Sequence, residues 1–160
     1  MGCCGGIGGV AVFSGRFDHA IDEKGRVSIP SRFREVLERD GHESLVITNW
    51  TQHKERCLAL YPPGEWTKLI GKIRERGSLD PATQTLQMFL IGGAHEVQVD
   101  RQGRILIPPK LREYARFDRD VTFNALIDNF QLWDKAVLQR IVEAAAEQMA
   151  DPEFVAKLNL

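Results

Sequence analysis

The sequence has few of the residues that form metal centres or covalent frameworks. Its 160 residues include three cysteines and four histidines, none at the spacing of a zinc site or of a disulfide framework. Apolar runs stay well short of the roughly 18 residues that a transmembrane helix requires. We therefore expect a reduced, cytoplasmic protein that binds no metal and no cofactor and makes no contact with a membrane.

Signatures of catalysis are also missing. No nucleophile stands beside a histidine in a known motif, and Gly-x-Gly patterns occur only within residues 1–9, away from any strand-to-helix junction. Two conspicuous acidic residues, Asp22 and Asp100, have no second base of another type that would complete an acid–base pair. We expect the protein not to be an enzyme.

The chain has almost no net charge, because 21 basic residues face 22 acidic ones. The charges are nevertheless unevenly distributed. Basic side chains are concentrated at Arg101, Arg104, Lys110, Arg112, Arg116 and Arg119, and acidic ones in the tail at Glu143, Glu147, Asp151 and Glu153. This asymmetry is compatible with nucleic-acid binding and equally with an ordinary solvated surface.

What the sequence does contain is an internal duplication. The segment DEKGRVSIP at residues 22–30 has a second copy, DRQGRILIP, at residues 100–108. The two copies are offset by 78 positions, since residue 22 corresponds to residue 100. The copies continue in parallel as RFRE at residues 32–35 and KLRE at residues 110–113. Two copies are too few for a solenoid. The chain is therefore interpreted as two related units with a pseudo-two-fold relation.

The apolar periodicity predicts the same order of elements in both copies. In the first copy we expect strands over residues 13–21, 26–29, 44–49 and 57–61, a turn over 22–25 and a helix over 31–40. In the second we expect strands over 94–99, 104–107, 121–127 and 131–133, a turn over 100–103 and a helix over 109–116. Further helices are predicted over 64–76, from an aspartate N-cap at 80 to about 91, from 134 to 149, and from 151 onwards. The fold class is α+β, with two pseudo-symmetric β-rich units flanked by helices.

These elements divide the chain into five segments. We expect a flexible leader at residues 1–11, or an over-long reading frame whose true start is Val12. The other segments are a first unit at 12–62, connecting helices at 63–92, a second unit at 93–135, and C-terminal helices at 136–160. Each half of the chain, flanking helices included, has roughly 60 to 80 residues, a size at which a core of its own is marginal. We therefore expect the two units to share a core and the chain to oligomerise.

The repeated motif predicts a tight turn in each unit. Gly25 and Gly103 suit the positive φ angle that such a turn requires. The carboxylates of Asp22 and Asp100 are expected to accept backbone N–H bonds in the turn or to pair with the following arginine. These four residues are assigned structural roles.

The basic residues of the two turns form a candidate binding surface. An exposed turn would project the side chains of Lys24, Arg26, Arg101 and Arg104. The planar fork of arginine suits phosphate oxygens and guanine edges. Taken alone, these residues leave open a DNA-binding module, an RNA-binding regulator and an oligomerisation module.

Several motifs in this order resemble those of the MraZ family. The resemblance rests on residues 22–30 with the Phe33-Arg34 pair that follows, and on their second copy at 99–108. It extends to the segments FSG at 13–15, LYPPGEW at 60–66 and FQLWD at 130–134. It covers residues from about 12 to about 149, and residues 1–11 have no counterpart in it.

The resemblance implies a bacterial transcription regulator of the division and cell-wall gene cluster. Its fold would contain two DNA-binding units of the SpoVT-AbrB type, and its protomers would assemble into a homo-oligomeric ring that binds direct repeats in promoter DNA. Arg26 and Arg104 are the DNA-contacting residues that it implies, and we expect Lys24 and Arg101 to be their phosphate-binding partners. Such a protein is nucleoid-associated. A ring scaffold without a nucleic-acid role and an RNA-binding regulator are the alternatives.

Ring closure also has a physical motive in the sequence. The connecting helices carry apolar faces at Trp66, Leu69, Ile73, Leu86, Phe89 and Leu90. Two small sheets can hardly cover these faces, so we expect them either to meet a neighbouring protomer or to be buried within the chain.

Overall fold

Strands and helices alternate along a chain whose computed structural model describes residues 12–39, 41 and 43–160. The leader predicted at residues 1–11 lies outside the described residues. The strands are β1 (Arg16–Ala20), β2 (Arg26–Ser28), β3 (Ser44–Gln52), β4 (Glu55–Tyr61), β5 (His95–Gln98), β6 (Arg104–Leu106), β7 (Asp120–Ala125) and β8 (Phe130–Asp134). The α-helices are α1 (Ser31–Arg39), α2 (Pro63–Glu75), α3 (Pro81–Leu86), α4 (Pro109–Ala115), α5 (Lys135–Met149) and α6 (Pro152–Leu158). This mixed α/β order follows the predicted one.

Prolines and aspartates set the starts of most helices. A proline occupies the first position of α2, α3, α4 and α6, where its missing N–H costs no intrahelical bond. The Asp80 side chain accepts hydrogen bonds from the first-turn N–H groups of α3. Asp134 and Asp151 cap α5 and α6 in the same way. Both kinds of signal are local, which is why these boundaries were predictable.

The helix predicted to continue to residue 91 is interrupted. The α-helix α3 ends at Leu86, and Gln87–Ile91 form one turn of π-helix in which the Gly92 N–H donates to the Gln87 carbonyl at 3.1 Å. In this last turn the Leu90 carbonyl accepts a 2.6 Å bond from the Thr48 hydroxyl of β3, and the Leu90 side chain is buried. Packing against β3 therefore overrides the regular helical period here.

Strand pairing exchanges elements between the two units. The larger sheet is antiparallel and has the order β1-β7-β8-β4-β3-β5. The first strand of each unit therefore pairs with the third strand of the other unit, β1 with β7 and β5 with β3. Interchanging the equivalent strands of the two units (β1 with β5, β3 with β7, β4 with β8) gives the same order read from the opposite edge of the sheet. A smaller antiparallel sheet pairs β2 with β6. The duplication in the sequence thus appears as a pseudo-two-fold arrangement of strands.

The six-stranded sheet has a different layer on each face. Along β8, Phe130 and Leu132 point into the larger apolar cluster, which also contains residues of β2, β6, α1 and α4. Trp133 points the other way and packs with Leu138 of α5 in a smaller cluster. The pair of strands β2 and β6 and the helix α5 therefore lie on opposite sides of the sheet.

The apolar faces of the connecting helices are only partly covered by the chain itself. Ile73 and Leu90 are buried, and Trp66, Leu69, Leu86 and Phe89 are half-buried. Met88 in the π-helical turn is 82% exposed, and Leu79 in the loop before α3 is 91% exposed. Among the residues described, no helix has the length and apolar character needed to cross a membrane.

Candidate nucleic-acid interface

One carboxylate organises the first motif turn. Oδ1 of Asp22 accepts hydrogen bonds from the backbone N–H groups of Lys24 and Arg26, both at 2.9 Å. The Gly25 N–H donates to the Asp22 carbonyl at 3.0 Å, and Gly25 has a φ of 84°. The other carboxylate oxygen, Oδ2, accepts a 2.8 Å bond from Nε of Arg26. The same aspartate therefore closes the turn and anchors the arginine side chain.

The second turn has the same construction. Oδ1 of Asp100 accepts from the backbone N–H groups of Gln102 and Arg104 at 2.9 Å, and Oδ2 accepts from Nε of Arg104 at 3.1 Å. The Gly103 N–H donates to the Asp100 carbonyl at 2.9 Å, with a Gly103 φ of 75°. The repeated residues thus produce a repeated geometry.

The hydrogen bonds keep both carboxylates ionised. The pKa of Asp22 lies below its ordinary value, chiefly because its carboxylate accepts the backbone N–H of Arg26. The pKa of Asp100 is lowered chiefly by the equivalent bond from Arg104. In each pair the aspartate engages Nε, and the terminal Nη groups have no hydrogen-bond partner within the described part of the chain. Both arginines therefore hold an oriented, unused fork of N–H donors.

Each turn is also fastened to the opposite unit. The Ile29 N–H donates to the Gly103 carbonyl at 2.8 Å, and the Ile107 N–H donates to the Gly25 carbonyl at 2.9 Å. These reciprocal bonds continue the pairing of β2 with β6. As a result, the position of one turn depends on the position of the other.

The pairing places both arginines on one outer surface. The register pairs Arg26 with Leu106 and Ser28 with Arg104. Residues that face each other across antiparallel strands, and residues two apart along a strand, share a face. Arg26, Ser28, Arg104 and Leu106 therefore form one surface, which we call the ribbon face. Val27 and Ile105 point the opposite way and are each 1% exposed in the core.

The other two predicted binding residues lie on the turns beside the ribbon face. Lys24 and Arg101 are both exposed. The first turn carries two acidic and two basic side chains, because Glu23 stands where the second turn has Arg101. The second turn carries one acidic and two basic side chains. The two turns therefore share a backbone geometry and differ in charge.

Sequence reasoning overlooked four residues at this site. Ser28 and Leu106 share the face of the motif arginines, which the alternation along β2 and β6 could have indicated. Arg34 and Arg112 approach the turn glycines of the opposite units. Their repetition in the sequence at the same offset as the motif was the available signal. Arg112 donates from Nη2 to the Asp118 carbonyl at 2.6 Å, whereas Nε of Arg34 is buried without a hydrogen-bond partner.

The ribbon face and the acidic helix α5 lie on opposite sides of the six-stranded sheet. Acidic residues of α5, including Glu143 and Glu147, lie across the sheet from it, so they do not oppose a phosphate backbone there. No group of three or more histidine, cysteine or acidic side chains suited to a metal ion occurs among residues 12–39, 41 and 43–160. The chemistry offered by the ribbon face is hydrogen-bond donation from arginine.

Comparison with known proteins gives consistent matches along the chain. The family model of the MraZ protein, described as antitoxin-like, matches twice, over residues 12–89 and 90–158. A protein of Syntrophobacter fumaroxidans named transcriptional regulator MraZ is 41% identical over 128 residues, which are 80% of this chain and 83% of that one. A protein of the same name from Shewanella oneidensis is 37% identical over 154 residues, covering 93% of this chain and 100% of that one.

Proposed function

The chain belongs to the MraZ family, and we propose that it is a transcription regulator that binds double-stranded DNA through the ribbon face. The observation that carries this proposal is the pair of anchored arginines, Arg26 and Arg104, on one side of a two-stranded antiparallel ribbon. The major groove of B-DNA admits such a ribbon, and arginine forks pair with the O6 and N7 atoms of guanine. The names of the relatives support the regulatory role.

Each residue of the motif has a separate task in this proposal. Arg26 and Arg104 contact base edges and provide sequence preference, whereas Lys24 and Arg101 contact phosphates and position the protein. Asp22 and Asp100 hold the arginines in place through Nε. The turn glycines allow the backbone to bend. Units 12–62 and 93–135 thus contribute one recognition turn each.

We also propose that several copies act together as a ring. A single ribbon offers few base contacts, so its affinity for one site is low. Several ribbons on one assembly would engage direct repeats in a promoter with a large gain in affinity. The exposed side chains of Met88 and Leu79 provide apolar surface for contacts between protomers. The target genes in this proposal are those of the division and cell-wall cluster, and the protein is cytoplasmic and nucleoid-associated.

Family membership confirms one further prediction, namely that the chain is not an enzyme, since the relatives are regulators by name. The proposed function therefore includes no chemical reaction. Regulation would follow from occupancy of promoter DNA alone.

A gel shift with DNA from upstream of the gene itself tests the proposal. The wild type should bind this fragment in preference to a shuffled fragment of the same composition and to RNA of the same sequence. R26A and R104A should each weaken binding by about tenfold or more, because a bidentate base contact provides roughly 1–3 kcal/mol. R140A is the matched control, since Arg140 is an exposed arginine of α5 on the other side of the sheet.

The outcomes separate the competing functions. Wild-type affinity in both R26A and R104A would refute the ribbon face as the binding surface. Preference for RNA would favour the RNA-binding regulator, and binding to neither nucleic acid would favour the ring scaffold. Circular dichroism and size-exclusion chromatography of each variant check that fold and assembly are retained.

A further inference from the structure

The ribbon face contains one side chain that does not suit a solvent-exposed surface between arginines. Leu106 is 54% exposed, although it lies directly opposite Arg26 in the strand pairing. Single exposed leucines are common on protein surfaces. This one is distinguished by its place, because the other three residues of the ribbon face are polar and two of them are the anchored arginines.

The position also breaks the internal symmetry. The pseudo-two-fold relation that exchanges Arg26 with Arg104 exchanges Leu106 with Ser28. Leu106 leans towards the first turn, where its Cδ1 lies 3.7 Å from the point at which a Cβ atom of Gly25 would stand. The surface beside Arg26 is therefore apolar, and the surface beside Arg104 carries a hydroxyl group.

These differences correspond to different features of base pairs. In the major groove, the C5 methyl of thymine is the one apolar group that base edges present, and aliphatic side chains contact it. A serine hydroxyl donates or accepts and therefore suits any base. A leucine next to an arginine fork fits a thymine adjacent to the base that the fork contacts.

We propose that Leu106 reads a thymine methyl group beside the base contacted by Arg26, and that the ribbon of one chain consequently recognises an asymmetric sequence. This inference rests on the proposed DNA-binding function. The second half of the site, with Ser28 beside Arg104, carries no methyl preference. A single protomer therefore binds its site in one orientation, which is the arrangement that head-to-tail direct repeats require.

Deoxyuridine tests this directly, because it differs from thymidine by the C5 methyl alone. The upstream fragment is amplified once with dTTP and once with dUTP, and both products are titrated with the wild type, L106A and S28A. The wild type should bind the uridine fragment more weakly, by about fourfold for each contacted methyl group. L106A should show a smaller difference between the two fragments, because the side chain that contacts the methyl group is gone. S28A should keep the full difference.

The design is a double-mutant cycle in which one change is made in the DNA. General effects of uridine on DNA shape affect wild type and L106A alike and cancel in the comparison. Equal wild-type affinity for the two fragments would overturn the inference while leaving the DNA-binding function intact. So would a thymine preference that L106A retains in full, or a changed oligomeric size of L106A in size-exclusion chromatography. Failure of the wild type to bind either fragment would overturn the proposed function and this inference with it.

Discussion

Arg34 fills the space in which a side chain at position 103 would have to stand. A Cβ atom on Gly103 would overlap Cδ and Nη1 of Arg34 and would lie 2.8 Å from its Cζ. At the equivalent Gly25 the nearest arginine atom, Nη1 of Arg112, is 3.7 Å away, which is an ordinary contact. Because Arg34 belongs to the first unit and Gly103 to the second, this packing joins the units directly behind the second motif turn.

The two glycines should therefore tolerate alanine to different degrees. Both have positive φ angles, 84° and 75°, so alanine strains the backbone similarly at each, by about 1–2 kcal/mol. G103A additionally overlaps Arg34, and overpacking of this kind costs about 1–3 kcal/mol more. We expect the melting temperature to fall further for G103A than for G25A, with each kcal/mol lowering it by about 2–4 °C.

A second substitution shows whether the arginine is the cause. R34A removes the overlapping atoms. Adding G103A to R34A should therefore lower the melting temperature less than adding G103A to the wild type does. Adding G25A should lower the melting temperature by the same amount in R34A and in the wild type. Equal melting temperatures for G25A and G103A would contradict the packing argument.

The aspartates should matter for DNA binding through the arginines that they hold. D22A removes the acceptor of Nε of Arg26 and of two backbone N–H groups, so DNA affinity should fall about as far as in R26A, by roughly tenfold or more. D22N keeps an oxygen acceptor for the backbone and loses the charge, so its loss should be smaller. Fluorescence anisotropy with the upstream fragment measures both. D22A binding as tightly as the wild type would show that the arginine needs no anchor.

The salt dependence of binding should report on Lys24 and Arg101. Each phosphate contact contributes about −0.9 to the slope of log K against log salt concentration, so an assembly with several ribbons should give a slope on the order of −4 or steeper. K24A and R101A should each flatten this slope and leave the preferred sequence unchanged. K68A is the control, because Lys68 is an exposed lysine of α2 paired with Glu65. An affinity of the wild type that does not change with salt would refute the electrostatic contribution.

His19 should make the fold weaker in mild acid. Its ring packs edge-on against Phe123, with centroids 5.5 Å apart, and burial is the largest cause that lowers its pKa. Arg34 lowers this pKa further, and Asp18 partly opposes the shift. Below about pH 6.5 the unfolded chain takes up a proton at this position and the folded chain resists it, so stability declines from there down to the lowered pKa.

Thermal melts at pH 7.5 and pH 5.5 measure this effect. The wild type should melt at a lower temperature at pH 5.5, and H19F should show a smaller difference because phenylalanine does not titrate. Asp22 and Asp100 do not contribute in this range, since their lowered pKa values keep them ionised in both conditions. An identical pH difference in wild type and H19F would assign it to other groups.

The sequence was most informative where structure depends on neighbouring residues. The spacing of Asp22, Gly25 and Arg26 predicted a turn, and the structure has a turn there with the carboxylate at its centre. Prolines and aspartates located the helix starts for the same reason. The duplication predicted a pseudo-two-fold arrangement, which the strand order displays.

Features that depend on distant pairing were not predictable. The alternation along β2 shows that Arg26 and Ser28 share a face, but only the register with β6 adds Leu106 and Arg104 to that face. The packing of Arg34 against Gly103 depends on the same long-range arrangement. The π-helical turn at Gln87–Ile91 follows from contacts with β3, which the helical periodicity of that segment does not reveal.

The exchange of β1 and β5 has a consequence for how the chain folds during synthesis. Ala20 at the end of β1 pairs with Asp120, 100 residues later in the chain, from residue 20 to residue 120. At the usual elongation rates of about 5–20 residues per second, the ribosome needs roughly 5–20 seconds to supply that partner. Until then β1 has no strand partner, and the edge of β4 that later pairs with β8 remains open, a condition that invites pairing with other nascent chains. Chains that grow on neighbouring ribosomes of one messenger could therefore pair these strands with each other. The connectivity that unites the two turns thus also makes correct assembly depend on the pace of translation.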